Sequence, residues 1–169
     1  MLKQLLFFLF TALPAVLPAQ SYYYHSINAN TLSASFGQTY KVQYMHQLSH
    51  GRQLRISGNY ISDNFDEGTD RIQAKTYNFN VQFQYNLVNF DRLFINGNIG
   101  FGAYYLEAVN KIDIKIDEKQ FNFIYGAQVE YYLQRNSIAL VADVDVLYMG
   151  WSDLYKFLRS PSIGLAFYF

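Results

Sequence analysis

Cysteine is absent from the sequence. That excludes disulfides, a thiolate metal site and a lipid-modified cysteine anchor. An excess of charge of either sign is absent too: 13 basic and 13 acidic residues give a formal net charge of +0. The basic footprint of a nucleic-acid binder is therefore missing, and no direct nucleic-acid contact is expected. Beyond Ala19 there is no long apolar helix and no helical period.

Aromatic residues are abundant instead. The chain has 16 Tyr and 15 Phe, and aromatics make up 19% of it. A soluble core of this size needs far fewer, and Tyr favours boundaries where one end is apolar and the other wet.

The N-terminus reads as a targeting segment. Lys3 is followed by LLFFLF and then TALPAVLPA. A charged start, a short apolar run and a small residue predict a secretory signal peptide over residues 1–19, cut between Ala19 and Gln20. Pro14 and Pro18 interrupt the run, which falls short of the roughly 20 apolar residues a helical anchor needs. Residues 20–169 are then expected to form a single domain.

That domain alternates with a period of two. In TYNFNVQFQYNL (Thr76 to Leu87) every second residue is apolar or aromatic, and Asn78, Asn80, Gln82, Gln84 and Asn86 lie between them. Successive side chains of a β-strand point to opposite faces, so this pattern predicts a strand with one greasy and one polar face. The pattern recurs in TYKVQYMHQL, QLRISGNYI, LFINGNIGFGAYY, FNFIYGAQVEYYL, IALVADVDVLY and SPSIGLAFYF. A weaker strand is expected between His25 and Phe36, where Ile27 and Ala29 fall out of step with Leu32, Ala34 and Phe36. A bulge near Asn30 would reconcile the two halves.

The connections are of two kinds. SHGR, VNFD and QRNS are tight, whereas DNFDEGTDRIQAK, EAVNKIDIKIDEKQ and MGWSDLYK are long and more charged. Short turns at one rim and long loops at the other predict an all-β, eight-stranded antiparallel up-and-down barrel, with both chain ends at the short-turn rim.

Two barrels share this periodicity. A soluble one hides its apolar face inside, and a membrane one turns that face outward. Three features favour the transmembrane, outer-membrane type. First, the polar face is mostly Asn, Gln, Ser and Gly, whereas a soluble surface is about a quarter to a third charged. Amides suit a closed interior where neighbours satisfy each hydrogen bond, and Gly100, Gly102, Gly126 and Gly164 are expected to leave room in it. Second, the few charges on that face balance: Lys41 and Arg55 on early strands, Glu130, Asp143 and Asp145 on late ones. These are expected to meet across the lumen as buried ion pairs. Third, Leu165, Phe167 and Phe169 alternate up to the chain end, which resembles the C-terminal strand signal that barrel-insertion machinery reads in outer-membrane proteins.

The partners expected on this reading are outer-membrane lipid and that machinery. Tyr60, Tyr77, Tyr105, Tyr125, Tyr148, Trp151 and Tyr155 are expected in the outer aromatic girdle, and Tyr131, Phe90 and Phe167 near the inner one. Eight strands enclose an interior that side chains fill, so no open pore is expected.

Residues with catalytic or metal-binding chemistry are few. His46 and His50 flank a tight turn with no third ligand indicated, so they read as polar residues at a wet rim. His25 and Ser26 invite comparison with lipid A deacylases, but adjacent residues of a strand point to opposite faces. Asp143 and Asp145 share a face, and the ion-pair reading covers them. The run IDIKID (Ile112 to Asp117) reads as a strand continuing above the membrane or an edge that pairs with a partner. No catalytic residue, metal or cofactor is expected.

The C-terminal third carries a family resemblance. FIYGAQVEYYL, MGWSDLYKF and IGLAF resemble the TraO family of conjugative-transposon outer-membrane proteins from Bacteroidetes. Trp151, Ser152, Lys156 and Phe157 match that family's last loop, with Gly150 before the Trp instead of after it. Gly126, Glu130, Gly164 and Phe167 match as well. The resemblance implies a signal peptide, a small outer-membrane barrel and an accessory role in a conjugal DNA-transfer apparatus, with other conjugation proteins as partners and no catalysis. The alternative is a free-standing surface binding or adhesion barrel of the OmpX kind. On either reading function is expected in the loops Asp63 to Lys75, Glu107 to Gln120 and Met149 to Lys156.

Overall fold

The computed structural model describes residues 29–67, 70–109, 115–134 and 137–169. The signal peptide with its cut site, and Ile27, His25 and Ser26, lie outside them. Eight strands close one barrel: β1 (Asn30–Phe36), β2 (Thr39–Ser49), β3 (Arg52–Glu67), β4 (Asp70–Phe90), β5 (Leu93–Val109), β6 (Lys115–Gln134), β7 (Ile138–Tyr148) and β8 (Phe157–Tyr168). Each strand pairs antiparallel with its sequence neighbours, and β8 closes on β1.

Both described ends meet at one rim, here the inner one. Asn30 N–H donates to Phe169 O at 2.8 Å, and Phe169 N–H donates back to Asn30 O at 2.9 Å. The tight turns lie at this rim. Gly51 takes a φ of +82° in the β2–β3 turn, a conformation only glycine adopts freely. Each inner connection has a register shift beside it, at Gln47/Ser49, Asn86/Val88 and Tyr132/Gln134. Such bulges bend a sheet at a barrel rim. The β1 ladder itself is regular from Asn30, so no bulge occurs there among the described residues.

The outer rim differs from the loops expected of it. Asp63 to Lys75 is not a loop: β3 and β4 stay paired up to Glu67↔Asp70. Glu107 to Gln120 is likewise mostly sheet, with β5 and β6 paired up to Val109↔Lys115. β3 to β6 therefore run 16, 21, 17 and 20 residues, against 7, 11, 11 and 12 for β1, β2, β7 and β8. At about 3.3 Å per residue this leaves a tall four-stranded wall beside a low one. The first hairpin, joined by Gly37 and Gln38, is the lowest part of the outer rim.

Toward the inner rim, the outward face of all the strands is apolar. Val42, Phe79, Phe83, Phe101, Phe123, Val144, Ile163 and Leu165 are all exposed. The inward face there is polar, with Lys41, Gln43, Arg55, Ser57, Asn80, Gln82, Gln84, Gln128 and Asp143 buried. Water outside would leave that hydrocarbon exposed around the whole circumference, far beyond the few-hundred-Å² patches soluble proteins tolerate. Lipid outside resolves it, and a closed barrel also satisfies every backbone group at that depth.

The boundary lies in a row of tyrosines. Tyr40, Tyr60, Tyr77 and Tyr105 are register neighbours on β2, β3, β4 and β5. Their ring centroids lie 6.2, 5.2 and 6.1 Å apart in turn. Two residues further out, the same outward face carries Ser62, Lys75, Glu107 and Asp117, again in register. The inward face inverts at the same height. Ile61, Ile72, Ala74, Leu106 and Ala108 are buried, and with Ile124, Leu147, Met149 and Leu158 they form an apolar core. Burying each Leu or Ile there contributes about 1.5–3 kcal/mol. The tall wall is thus a soluble-type sheet grown from a membrane barrel.

Candidate functional site

The lumen is filled in three layers. At the inner end, Phe94 and Tyr132 meet edge-on at 5.3 Å, and Tyr132 lies 5.1 Å from Tyr168. The middle layer is ionic. Lys41 Nζ lies 2.7 Å from Asp145 Oδ2 and 3.3 Å from Asp143 Oδ1. Arg55 reaches Asp143 Oδ2 at 3.0 Å and Asp145 Oδ2 at 2.5 Å through its two terminal nitrogens. These side chains are at most 1% exposed. The third layer is the apolar core of the outer end.

The structure thus brings together Lys41, Arg55, Asp143 and Asp145, a charge-neutral quartet from β2, β3 and β7. The alternation aims each inward, and barrel closure brings β7 within reach of β2 and β3. Gln43 donates to Asp143 Oδ2 at 2.9 Å, and Gln84 donates to Gln128 Oε1 at 2.8 Å. Such partners are what make buried charge tolerable. Glu130 stands one layer inward, where it accepts from Asn96 at 2.8 Å and from Tyr168 at 2.7 Å.

The inward glycines do not leave empty lumen. A side chain at Gly102 would collide with the Phe79 carbonyl and with the side-chain oxygens of Asn80 and Asn122. Atoms of the adjacent strands, chiefly backbone at Gly100, Gly126 and Gly164, lie across the glycines. The buried amides of Asn59, Asn78, Asn98 and Asn122 make no side-chain hydrogen bond among the described residues.

The outer opening is closed by the segment between β7 and β8. Ser152 is fully buried, and its Oγ accepts from the N–H groups of Leu154 and Tyr155, both at 3.2 Å. Lys156 Nζ donates to the carbonyls of Gly150 and Ser152, both at 3.1 Å. Asp153 N–H donates to Glu118 at 3.0 Å, which ties the segment to β6. Tyr155 reaches Asp63 on β3 at 3.5 Å, while Leu154 and Tyr155 pack on the apolar core. The segment is therefore a strap across the barrel mouth. Burial and the Asp63 carboxylate hold the Tyr155 phenol above its usual value.

This gives the family-like positions distinct places. Ser152 and Lys156 shape the strap, Gly150 lies against the Tyr148 ring, and the outward Phe157 ring meets Tyr148 at a tilt, with centroids 5.2 Å apart. Trp151 stands 73% exposed beside Gln120, whose amide donates to the Trp151 carbonyl. Tyr155 is not a girdle residue, because it turns inward onto the core. Tyr125 lies lower on the outer wall, in the row of Ile99 and Val146. Tyr131, Phe90 and Phe167 face outward near the inner rim. Leu165, Phe167 and Phe169 also face outward, with Leu165 opposite Ala34 and Phe167 opposite Leu32 at the seam with β1.

Among the described residues, no group of three His, Cys, Asp or Glu side chains could hold a metal ion. His46 Nδ1 lies 3.0 Å from Asn30 Oδ1 at the inner rim. The described part of IDIKID, Lys115 to Asp117, is a strand paired with β5.

No protein-family model matches the chain, and no curated protein matches it by sequence. Solved structures do match. The chain has the fold of the eight-stranded outer-membrane barrels. A major outer-membrane protein of Thermus thermophilus aligns with a TM-score of 0.68 at 13% identity, over 83% of this chain and 99% of that one. The N-terminal β-barrel domain of Pseudomonas aeruginosa OprF aligns with a TM-score of 0.62 at 16% identity, over 84% and 98%. Ail, the attachment invasion locus protein of Yersinia pestis, aligns with a TM-score of 0.59 at 12% identity, over 85% and 100%.

Proposed function

We propose that this chain is a non-enzymatic barrel of the bacterial outer membrane that presents a rigid external sheet to a protein partner. One observation carries this: apolar clusters fill both ends of the lumen around the ionic quartet, while β3 to β6 continue as ordered sheet beyond the tyrosine row. A filled barrel with a tall wall suits display better than conduction. On β3, the stretch beyond Ile61 has no β2 partner, so it is an edge on which a partner strand can dock.

The resemblance to the TraO family supplies the kind of partner: other proteins of a conjugal DNA-transfer apparatus. Leu165, Phe167 and Phe169 would serve as the insertion signal, since they stand outward where β8 meets β1. The test is affinity capture of a tagged copy from outer membranes of conjugating cells after crosslinking. Recovery of transfer proteins, lost when Asn64→Pro is placed in the β3 edge, is the expected result. Capture without any transfer protein, with unchanged DNA transfer in a deletion strain, would overturn it.

A second reading is a free-standing surface binding or adhesion barrel, favoured by the same exposed edge and by Trp151 at the tip of the strap. It requires binding to surfaces or ligands by cells that carry this gene alone.

A further inference from the structure

The lipid-facing wall has a notch of about 720 Å³ on β1 to β5. Ala34, Gly58 and Ala103 form its floor, Phe36, Val42 and Phe79 its sides, and the tyrosine row its outer end. At Gly58 an added Cβ would meet no atom within 4 Å, so the floor is open outward. The notch lies within the band that hydrocarbon must cover, so it continues the barrel–lipid interface. Its size falls in the range of about 300–1,000 Å³ typical of ligand sites.

The surface just beyond carries both signs of charge. Tyr105 Oη donates to Glu107 at 2.7 Å and lies 3.2 Å from Asp117, so two carboxylates gather around one phenol. Lys119 Nζ stands 4.9 Å above the Tyr105 ring, and Lys75 is the register neighbour of Glu107. Two cations and two carboxylates match a zwitterion better than a net anion. We propose that the notch holds one acyl chain of a glycerophospholipid whose phosphoethanolamine head group lies on this patch, the ammonium at Glu107 and Asp117 and the phosphate at Lys75 and Lys119.

The test is native mass spectrometry of the full protein released from nanodiscs containing equal amounts of phosphatidylethanolamine and phosphatidylglycerol with identical chains. The expected result is one retained lipid per barrel, with phosphatidylethanolamine favoured about fivefold, which corresponds to roughly 1 kcal/mol. Gly58→Leu fills the notch without touching the fold and should abolish retention, while the protein still migrates faster unboiled than boiled. Glu107→Gln with Asp117→Asn should keep a lipid but bring the two head groups to parity. Retention unchanged in Gly58→Leu would overturn the notch. Equal retention of both lipids by the unsubstituted protein would overturn the head-group assignment. These outcomes are independent of whether a transfer protein binds the β3 edge.

Discussion

Below the tyrosine row, β3, β4 and β5 keep amides inside and hydrocarbon outside. Beyond it the same strands keep Ile61, Ile72, Leu106 and Ala108 inside and Ser62, Lys75 and Glu107 outside. The backbone pairing is continuous across the change, so only the surrounding solvent differs. In lipid, a strand gains nothing by hiding apolar side chains, and its polar face must satisfy itself inside. In water, the ordinary hydrophobic term returns and the faces exchange roles. The two regions therefore fail in different ways when substituted.

The largest effect is expected in the ionic layer. Asp145→Asn removes a partner of both Lys41 and Arg55 and leaves a buried charge uncompensated, at a cost of about 3–5 kcal/mol. Urea unfolding in detergent reads this. Replacing all four members of the quartet by apolar residues of similar volume should cost far less than the single change.

Leu106→Ala should remove about 2–5 kcal/mol from the outer core. Hydrogen exchange should show the loss in the outer ends of β3 to β6 and in the strap, with the membrane band protected as before. Uniform loss of protection would mean that the two regions unfold as one.

The outward face offers a paired test on one strand. Phe83→Lys places a charge in lipid at a cost of about 2–4 kcal/mol near the midplane. Gln73→Lys, on the same face beyond the tyrosine row, should change stability by no more than about 0.5 kcal/mol.

The smallest effect is at the strap. Tyr155 has its phenol held up by burial and Asp63, so its stabilising contact is fully present below the ordinary phenol value of about 10. Above that, the unfolded segment sheds its proton first, and the contact is lost as pH rises through the folded value. The difference in strap exchange between the unsubstituted protein and Tyr155→Phe should therefore shrink above about pH 10.

Much of the membrane band was readable in the sequence. The alternation in TYNFNVQFQYNL assigns the side chains of Thr76 to Leu87 in β4 to their faces, because a period of two survives any closure of the sheet. The inversion was not readable. Asp63 to Lys75 is rich in charge, so it resembles a loop, and Ile72 and Ala74 are too few to announce a core by themselves. Their apolar partners come from other strands and from Leu154 in the strap, brought near only by folding. The ionic residues could be chosen by sign and face, but not their layers: Glu130 looks equivalent to Asp143 in sequence and stands with Tyr168 in space. Tyr155 shows the same limit. Aromatic character places it near an interface, and only the path of the strap decides which way it turns.

The most direct measurement is a spin-label scan along β4, one cysteine at a time, which the absence of native cysteine makes clean. Labels at Gln73→Cys and Lys75→Cys should be accessible to a water-soluble relaxation agent. Labels at Phe79→Cys, Val81→Cys and Phe83→Cys should be accessible to oxygen dissolved in lipid, with the crossover at Tyr77. Inward positions such as Ala74→Cys and Asn80→Cys should be shielded from both. Water accessibility at Phe79 and Phe83 equal to that at Gln73 would contradict a membrane boundary at the tyrosine row.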